Sequence, residues 1–333
     1  MMKAIVNDSF GGPEVMRVAS VPEPTPGPGQ VLVKVVATSV NRPDMVQRQG
    51  NYPPPPGDSN ILGLEIAGTV AALGDGVDQW RCGDRVMGLV GGGAYAEFSV
   101  AWPGHLMRIP ESMSWEKAAC VSETYITAHL NLFQFPGLVD GQQVLLHGGG
   151  GGVNTAAIQL CRALAPSVTI LVTASTAKVQ RVRDLGVDHV IDYQQRSFQE
   201  EVAKLTNGRG VDVILDHIGA AYLHANLKSL AVNGTLMLIG VMGGAKSDLN
   251  LAQLMVKRQK IAGSVLRPRP VDEKAAIISR FASETLGLFS DEKIIPLVHK
   301  VFPLEKVVEA HRLMESSGHF GKIVLIVDSE ASQ

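Results

Sequence analysis

The sequence predicts an α/β protein with two domains, one a parallel sheet covered by helices and the other rich in β-structure. A short apolar run, Val144 to Leu146, precedes five glycines, and apolar residues then recur at helical spacing from Thr155 to Leu164. Strand-like and helix-like segments alternate after it, as is typical of a parallel sheet with helices on both faces. Residues 1–120 instead contain short Val-rich runs separated by Gly and Pro turns, which predicts the β-rich domain.

The β-rich domain, residues 1–120, is predicted to contain short strands that change direction often. Turn signals such as Pro26-Gly-Pro-Gly29 and the proline run 53–56 separate them. The pattern then becomes helical, which predicts a connection into the second domain. The predicted strands are Val31–Val36, Gly68–Leu73, Asp84–Val90 and Tyr95–Val100, and the predicted connecting helices are Trp115–Ser122 and Thr124–Phe133.

The second domain, residues 121–285, is predicted to bind a nucleotide and to end in a helix over 273–288. Residues 286–333 are too short for a domain of their own, so we expect them to return to the first domain, with a frayed tail at 330–333. Besides 144–146 and 155–164, the predicted elements of the second domain are strands Thr169–Thr173, Asp188–Asp192, Val211–Asp216 and Gly234–Met242 and a helix Thr176–Leu185.

Composition excludes several classes of function. The formal net charge is −2 and no Lys/Arg cluster occurs, so a nucleic-acid partner is not expected. Cys82, Cys120 and Cys161 lie far apart and predict neither a disulfide framework nor a zinc-binding Cys pair. No signal segment and no apolar run of membrane-spanning length is recognisable, so we expect a cytoplasmic protein without a membrane partner.

The glycine run predicts a phosphate-binding turn. Glycines between a strand and a helix let the backbone approach a pyrophosphate, and the positive end of the helix dipole then faces the anion. A glycine run alone is a weak signal, because ordinary loops also use glycine, but the flanking strands and helices strengthen it. We therefore predict a dinucleotide site that includes Gly149, Gly151, Gly152 and Val153.

The end of the second strand of this domain indicates which dinucleotide is bound. NAD-specific proteins usually place Asp or Glu there to bind the ribose hydroxyls, but here the strand ends Val172-Thr-Ala-Ser175 and no carboxylate occurs before Asp184. Ser175 and Lys178 could instead bind a 2′-phosphate, which favours NADPH. The alternative is a helix-capping Ser and a solvated Lys.

Six further stretches extend over essentially the whole chain: Phe10–Glu14, Asn41–Gly50 with Tyr52 and the following prolines, Gly63–Gly68, Glu123 with Thr127 and Ala128, Leu238–Gly244 and Gly321–Val324. Together they resemble the zinc-free quinone oxidoreductases of the medium-chain dehydrogenase/reductase superfamily. The resemblance is greatest to the tumour-suppressor-inducible type, with zeta-crystallin as a more distant relative.

The resemblance implies a GroES-like first domain, a Rossmann-type second domain, a cleft between them for cofactor and substrate, and a homodimer joined through the edges of the nucleotide-binding sheets. Zinc-containing relatives have a Cys near the position of Ser39 and a His at the position of Leu64. Because Leu64 cannot bind zinc, we expect no metal and interpret Glu65 as a structural group. His129, His147, His217 and His311 show no metal-ligand spacing, and we expect them to pack or form hydrogen bonds.

The resemblance also implies site residues. Asn41 and Tyr52 match active-site positions and could donate hydrogen bonds to a developing oxyanion. The positions that match cofactor contacts are Thr127, Tyr193, Gly240, Val241, Met242, Leu266, Arg267 and Lys322.

Asn154 departs from the family pattern, whose glycine-rich loop usually ends Gly-Val-Gly. The third glycine permits close packing of the helix start on its strand, so Asn154 places a side chain at a crowded point. Its amide either contacts a phosphate or lowers affinity, and our hypothesis is a modest weakening of cofactor binding.

These observations predict NADPH-dependent reduction of quinones by hydride or electron transfer. A quinone needs no strong general acid, so the site has chiefly to position the reactants, exclude water and supply hydrogen-bond donors. One alternative is reduction of the double bond of a 2-alkenal or enone. Another, from a different class, is an NADPH-binding, crystallin-like structural protein without turnover.

Overall fold

The computed structural model describes residues 1–328 and 330, so most of the tail predicted at 330–333 lies outside the described residues. The chain forms two compact units. Unit 1 comprises Met1–Ile126 together with the chain from Leu266 onward, and unit 2 comprises Thr127–Val265.

The strands and helices follow one another along the chain in this order. The strands are β1 Met2–Asn7, β2 Met16–Val21, β3 Val31–Val40, β4 Glu65–Leu73, β5 Arg85–Leu89, β6 Phe98–Ala101, β7 Leu106–Arg108, β8 Gln143–His147, β9 Thr169–Ala174, β10 His189–Asp192, β11 Val211–Asp216, β12 Leu230–Leu238, β13 Lys260–Gly263, β14 Val298–Pro303 and β15 Lys322–Ile326. The α-helices are α1 Arg42–Arg48, α2 Trp115–Ala118, α3 Thr124–His129, α4 Gly152–Leu164, α5 Val179–Arg183, α6 Phe198–Leu205, α7 Ala220–Ser229, α8 Leu251–Val256, α9 Val271–Ser290 and α10 Val307–Glu315.

Unit 1 is built around strand β3. This strand pairs in antiparallel fashion with β15, β4 and β6, in a sheet of order β14-β15-β3-β4-β5-β7. All of β3 except Lys34 is buried, and its Val33 and Val35 pack with Ile66 and Leu325 in the core of the unit. Because β15 comes from the last part of the chain, the sheet brings residues near 40, 65 and 322 side by side.

Unit 2 is a parallel six-stranded sheet of order β10-β9-β8-β11-β12-β13. The first strand of the unit, β8, therefore lies in the middle, and the chain direction across the sheet reverses between β8 and β11. In such open α/β sheets the ligand binds at this switch point, outside the carboxyl ends of the strands. The predicted fold class, a parallel-sheet domain combined with a β-rich domain, is confirmed.

Helix α9 lies in unit 1, whereas the sequence-based boundary at 285 put most of it in the nucleotide-binding domain. The Nε2 atom of His105 lies 3.0 Å from the carbonyl oxygen of Val271, and the ring of Phe289 packs 5.1 Å from that of Tyr125. An amphipathic pattern identifies the helix but not the core that it covers, so the boundary could not be placed from periodicity.

Several local elements differ from the predictions. The helix predicted from Thr176 begins as a 3-10 turn, Thr176–Lys178, and becomes α5 at Val179. Strand β12 ends at Leu238, so residues 240–242 form a loop rather than the end of a strand. The elements α6, α7, α8 and β13 of unit 2 and α1, β2 and β7 of unit 1 were not predicted. Within the described residues, none of the helices combines the length and the apolarity required to cross a membrane.

Candidate functional site

The glycine turn of unit 2 lies flat against strand β9. The backbone N–H groups of Gly148 and Gly149 donate to the carbonyl oxygen of Thr173, at 3.1 and 2.9 Å. A Cβ atom on Gly149 would lie 2.4 Å from a Val172 methyl group, so this position requires glycine. Gly151 caps α4 without a side-chain hydrogen bond, and the N–H groups of the first helical turn are directed toward the end of the sheet. A pyrophosphate fits this arrangement.

Asn154 is buried and ties the start of α4 to the end of β8. Its Nδ2 group donates to the carbonyl oxygen of His147 and to that of Gly148, the latter at 3.1 Å. Both amide protons are therefore used within the protein, while Oδ1 is buried without a hydrogen-bond partner. A phosphate contact through Nδ2 would therefore require one of these bonds to break, and the weakening of cofactor binding stays a prediction.

A buried hydrogen-bond network lies under the glycine turn. Thr173 Oγ1 accepts from Gly148 N–H at 3.1 Å and lies 3.1 Å from His147 Nδ1. His147 Nε2 lies 2.7 Å from Asn226 Oδ1, and Asn226 Nδ2 donates to Asp216 Oδ2 at 3.0 Å. Because that amide oxygen only accepts, the His147 proton is on Nε2. Burial lowers the pKa of His147 to about 3, so the ring is neutral.

The ends of β9 and β10 bring together three predicted cofactor residues. Asp192 pairs with Ala174 in the parallel register, so the residues that follow them, Tyr193 and Ser175, lie at the same edge of the sheet. Lys178 ends the 3-10 turn that begins after Ser175. Burial and the nearby charge of Arg181 lower the pKa of Lys178. An anion bound beside these two cations would favour the charged form of Lys178 and raise its pKa again. Arg181 was not among the predicted residues, although the sequence places it three residues after Lys178.

The loop after β12 carries three more predicted residues. Met242 N–H donates to His217 O at 3.0 Å, and a Cβ atom on Gly240 would lie 3.0 Å from the same oxygen. Val241 and Met242 are more than half exposed. The glycine turn, the ends of β9 and β10, and this loop all lie at the carboxyl edge of the unit 2 sheet. Thr127 lies in α3, where its carbonyl oxygen accepts from Asn131 Nδ2 at 2.8 Å.

In unit 1, a group of buried polar side chains surrounds Glu65; we call Ser39, Asn41, Glu65 and Lys322 the Glu65 cluster. Glu65 Oε1 accepts from Ser39 Oγ at 2.5 Å and from Asn41 Nδ2 at 2.8 Å, and it lies 3.0 Å from Lys322 Nζ. Its other oxygen, Oε2, accepts from the backbone N–H of Glu123 at 2.8 Å. Glu65 therefore joins β3, β4, β15 and the start of α3.

The hydrogen-bond donors of the Glu65 cluster are already engaged. Besides the ion pair, Lys322 Nζ donates to Asn41 Oδ1 at 2.5 Å and to Val40 O at 3.2 Å, which uses its three protons. The second Asn41 amide proton is directed at Ser39 O, 3.4 Å away. The predicted donation from Asn41 to a substrate, and the predicted cofactor contact of Lys322, would each require one of these bonds to break.

Tyr52 and Arg267 form a second group in unit 1, and the charge of Glu123 acts on both. The Arg267 guanidinium lies 5.1 Å from the centre of the Tyr52 ring. Its Nε and Nη2 donate to Gly91 O, whereas Nη1 is buried without a partner. Leu266, which is buried, and Arg267 were both predicted to contact the cofactor, and both belong to unit 1.

Burial raises the pKa values of Tyr52 and Glu123. Burial and the negative charge of Glu123 raise the pKa of Tyr52, and the positive charge of Arg267 opposes them only in part, so the hydroxyl stays protonated. Burial and the negative charge of Glu65 raise the pKa of Glu123 to about 8. A protonated carboxyl, a phenol and a guanidinium N–H are together able to donate to an oxygen that gains negative charge.

The hydrogen-bond partners of these residues could not be predicted from the sequence. Glu65 was interpreted as a structural group and His147 was expected to pack or form hydrogen bonds, and the structure agrees with both expectations. Glu123 was quoted only as part of the family resemblance. His147 and Asp216 are polar residues that end otherwise apolar strand segments, at the edge where such sheets bind ligands, and this signal could have located their network.

Comparison with known proteins agrees with this geometry. Residues 27–111 match the alcohol dehydrogenase GroES-like domain model, and residues 185–325 match a zinc-binding dehydrogenase model. The quinone oxidoreductase of Lama guanicoe is 33% identical over 98% of both chains. The synaptic vesicle membrane protein VAT-1 homolog of Rattus norvegicus is 33% identical over 99% of this chain and 85% of that protein.

Solved structures show the same similarity over the whole chain. A mycobacterial protein complexed with NADPH has a TM-score of 0.88 and 33% identity, covering 98% of this chain and 100% of that one. The apo JamJ enoyl reductase has a TM-score of 0.88 and 27% identity, with the same coverage. The fold and sites define a two-domain, nicotinamide-dependent oxidoreductase. The chain belongs to the medium-chain dehydrogenase/reductase family.

Proposed function

We propose that this enzyme uses NADPH to reduce quinones by hydride or electron transfer. The observation that carries the proposal is the glycine turn at the switch point of the unit 2 sheet, next to Ser175, Lys178 and Tyr193 rather than a carboxylate at the end of β9. Relatives named quinone oxidoreductase support the choice of substrate.

The proposed cofactor contacts fall into three sets, one for each part of NADPH. The turn Gly149–Val153 would hold the pyrophosphate, and Ser175, Lys178 and Tyr193 would hold the adenosine 2′-phosphate. The remaining proposed contacts, toward the nicotinamide half, are Thr127, Gly240, Val241, Met242, Leu266, Arg267 and Lys322. NADPH, when bound, supplies the hydride.

The residues of unit 1 would bind and orient the acceptor. Tyr52 retains an unengaged hydroxyl and would donate to the acceptor oxygen as it becomes negative. Asn41, held by Glu65 and Lys322, would contribute by fixing the start of α1, whose first turn it caps. Aligning the reactants and excluding water are sufficient for a quinone, because its reduced oxygens can take protons from solvent.

We propose that the reaction is zinc-independent. Zinc-containing relatives have a Cys near the position of Ser39 and a His at the position of Leu64; here Ser39 Oγ donates to Glu65, and Leu64 has no donor atom. Within the described part of the chain, no group of three or more His, Cys, Asp or Glu side chains could hold a metal. These residues do not fit the metal implied by the name of the zinc-binding dehydrogenase model.

We also propose a homodimer. Strand β13 pairs with β12 on one side and ends the unit 2 sheet, and helix α8 beside it exposes apolar side chains. Leu251, Met255 and Val256 are each more than two-thirds exposed. A second copy that added its own β13 would cover this edge. Light scattering after size exclusion should give twice the 35.5 kDa chain mass; a monomer would refute it.

The second candidate function is reduction of the double bond of a 2-alkenal or enone. The observation that favours it is the pair Tyr52 and Arg267, with Arg267 Nη1 buried and unpartnered, because an enolate is more basic than the oxygen of a quinol and needs hydrogen-bond donors more strongly. The enoyl reductase among the similar structures also supports it.

A substrate panel tests both candidates. NADPH and NADH consumption should be measured with a naphthoquinone, a 2-alkenal and an enone. Turnover with NADPH and the naphthoquinone is expected. Tight NADPH binding in calorimetry without turnover of any acceptor would refute both reductase assignments.

A further inference from the structure

The buried hydrogen-bond network beneath the glycine turn of unit 2 is continuous from one strand to the next. It consists of Asp216 at the end of β11, Asn226 in α7, His147 at the end of β8 and Thr173 in β9, and we call these four side chains the Asp216 network. None of the four residues is more than 1% exposed. Because a buried donor must face an acceptor, the orientation of one member fixes the orientation of the next.

The order of donors and acceptors in the Asp216 network is set by the carboxylate at its end. Asp216 Oδ1 accepts from the backbone N–H of Ile218 at 2.6 Å. Its Oδ2 accepts from the N–H of Gly219 at 3.1 Å and from Asn226 Nδ2 at 3.0 Å. A carboxylate only accepts, so Asn226 turns its NH₂ group toward Asp216 and its oxygen toward His147 Nε2, 2.7 Å away.

The same order continues to the glycine turn. With its proton on Nε2, the neutral His147 ring can only accept at Nδ1, so the hydroxyl of Thr173, 3.1 Å away, donates to it. The Thr173 oxygen then accepts from the backbone N–H of Gly148 at 3.1 Å. Every hydrogen bond between Gly148 and Asp216 is therefore donated in the direction of the carboxylate.

Asp216 also supports the loop that follows β12. The N–H of Gly243 in that loop donates to the carbonyl oxygen of Ile218 at 2.7 Å, and Ile218 is the residue whose own N–H is bonded to Asp216. The neighbouring His217 ring packs on the glycine turn, since a Cβ atom on Gly148 would lie 2.7 Å from its Cε1. The turn, the loop after β11 and the loop after β12 therefore meet above one carboxylate.

We propose that Asp216 is a positioning residue for the cofactor. It fixes the turn that would hold the pyrophosphate and the loop 240–242 that would contact the nicotinamide half in one alignment. This inference rests on the proposed cofactor contacts and adds to them a residue that is buried beneath them. Its effect is exerted through the order of the hydrogen bonds, so it depends on the carboxylate and not only on the shape of the side chain.

Asp216→Asn reverses the order while keeping the shape of the side chain. The new amide accepts at one atom only, and its NH₂ group faces Asn226 Nδ2, donor against donor. Asn226 relieves this conflict by turning its amide over, which brings an NH₂ group to His147 Nε2 and moves the His147 proton to Nδ1. Thr173 then has to accept from the His147 ring as well as from the turn, and we expect the turn to shift.

Nitrogen NMR of the histidine-labelled protein without cofactor tests this order directly. We expect the His147 proton on Nε2 in wild type and on Nδ1 in Asp216→Asn, with the signal assigned by its absence in His147→Gln. The matched control is Asp212→Asn on the same strand, whose carboxylate accepts from the N–H of Gln143 at 2.8 Å at the amino end of the sheet. It should keep the wild-type tautomer.

Calorimetry with two ligands separates positioning from a general loss of structure. Asp216→Asn should weaken NADPH binding about tenfold. It should leave adenosine 2′-phosphate binding unchanged, because that fragment lacks the pyrophosphate and the nicotinamide half. Thr173→Val, which removes only the last link to the turn, should also weaken NADPH binding while His147 keeps its proton on Nε2, and Thr173→Ser should restore the affinity.

The outcomes distinguish this inference from the proposed cofactor contacts. A His147 proton on Nδ1 in wild type, or one that stays on Nε2 in Asp216→Asn, would overturn the inference alone. So would an equal loss of affinity for both ligands, or the same loss for NADPH in Asp212→Asn. If Asp216→Asn does not fold, an unchanged NADPH affinity in Thr173→Val would overturn it. A wild-type protein that does not bind NADPH would overturn the cofactor contacts, and the inference with them.

Discussion

The substitution Glu65→Gln removes the negative charge around which the Glu65 cluster is built while keeping the shape of the side chain. Glu65 is fully buried, and the side chain of its partner Lys322 is 5% exposed, with 3.0 Å between Nζ and Oε1. Removing one member of a buried ion pair leaves the other charge unpaired and costs about 3–5 kcal/mol.

The hydrogen-bond geometry narrows this range. A Gln oxygen at the Oε1 position can still accept from Ser39, Asn41 and Lys322, but its NH₂ group would then face the N–H of Glu123, donor against donor. Because the amide oxygen keeps part of the attraction for the ammonium, we expect the lower end, about 3 kcal/mol. With an m value of about 2–3 kcal/mol/M, the urea midpoint should fall by roughly 1–1.5 M.

Tryptophan fluorescence is the appropriate assay, because Trp80, Trp102 and Trp115 all lie in unit 1 and report its unfolding. The matched control is Glu309→Gln, which breaks an exposed ion pair of 2.7 Å with Lys306 and should not shift the midpoint measurably.

A double variant separates the loss of charge from the loss of packing. Adding Lys322→Met to Glu65→Gln removes the unpaired ammonium and should restore part of the stability. If Glu65→Gln alone unfolds at the wild-type midpoint, the buried charge pair does not stabilise unit 1 and the reasoning is refuted.

Four further predictions concern unit 2. Lys178→Ala should weaken NADPH binding about tenfold or more in calorimetry and leave NADH binding unchanged, because a charged hydrogen bond to the 2′-phosphate contributes about 1.5–3 kcal/mol; an equal loss for both cofactors would contradict it. Gly149→Ala would place its Cβ 2.4 Å from a β9 side chain and should lower thermal stability by about 1–3 kcal/mol. The control is Gly263→Ala, which should not lower thermal stability, because its Cβ would meet nothing within 4 Å. Asn154→Gly should cost about 1–2 kcal/mol through two lost hydrogen bonds, yet tighten NADPH binding if its side chain crowds the turn; unchanged affinity would refute that hypothesis. The pKa of His147 is lowered from an ordinary 6.5 to about 3, so the unfolded chain takes up a proton first, and stability should fall as pH drops from 6.5 toward 3. The urea midpoint should therefore be lower at pH 5 than at pH 7, with a smaller difference in His147→Gln.

The sequence by itself determined the fold class and the location of the nucleotide-binding turn. Both depend on local signals. One is the run of five glycines after a buried strand segment, and the other is the alternation of strand-like and helix-like segments, each of which is recognised from a short stretch of sequence. The sequence also shows Leu64 at the position where zinc-containing relatives have a His, and a Leu side chain has no donor atom for zinc.

Only the tertiary structure decided which side chains meet. Lys322 and Asn41 are 281 positions apart, yet they form a 2.5 Å hydrogen bond because β15 and β4 flank β3. That contact uses protons which the sequence alone left available for a cofactor or substrate. Likewise, Arg267 donates to Gly91, 176 positions away, through Nε and Nη2, so the unpartnered state of its Nη1 group is a property of the folded chain. Hydrogen-bond partners distant in sequence leave no periodic pattern, so they become known only when the strands are paired.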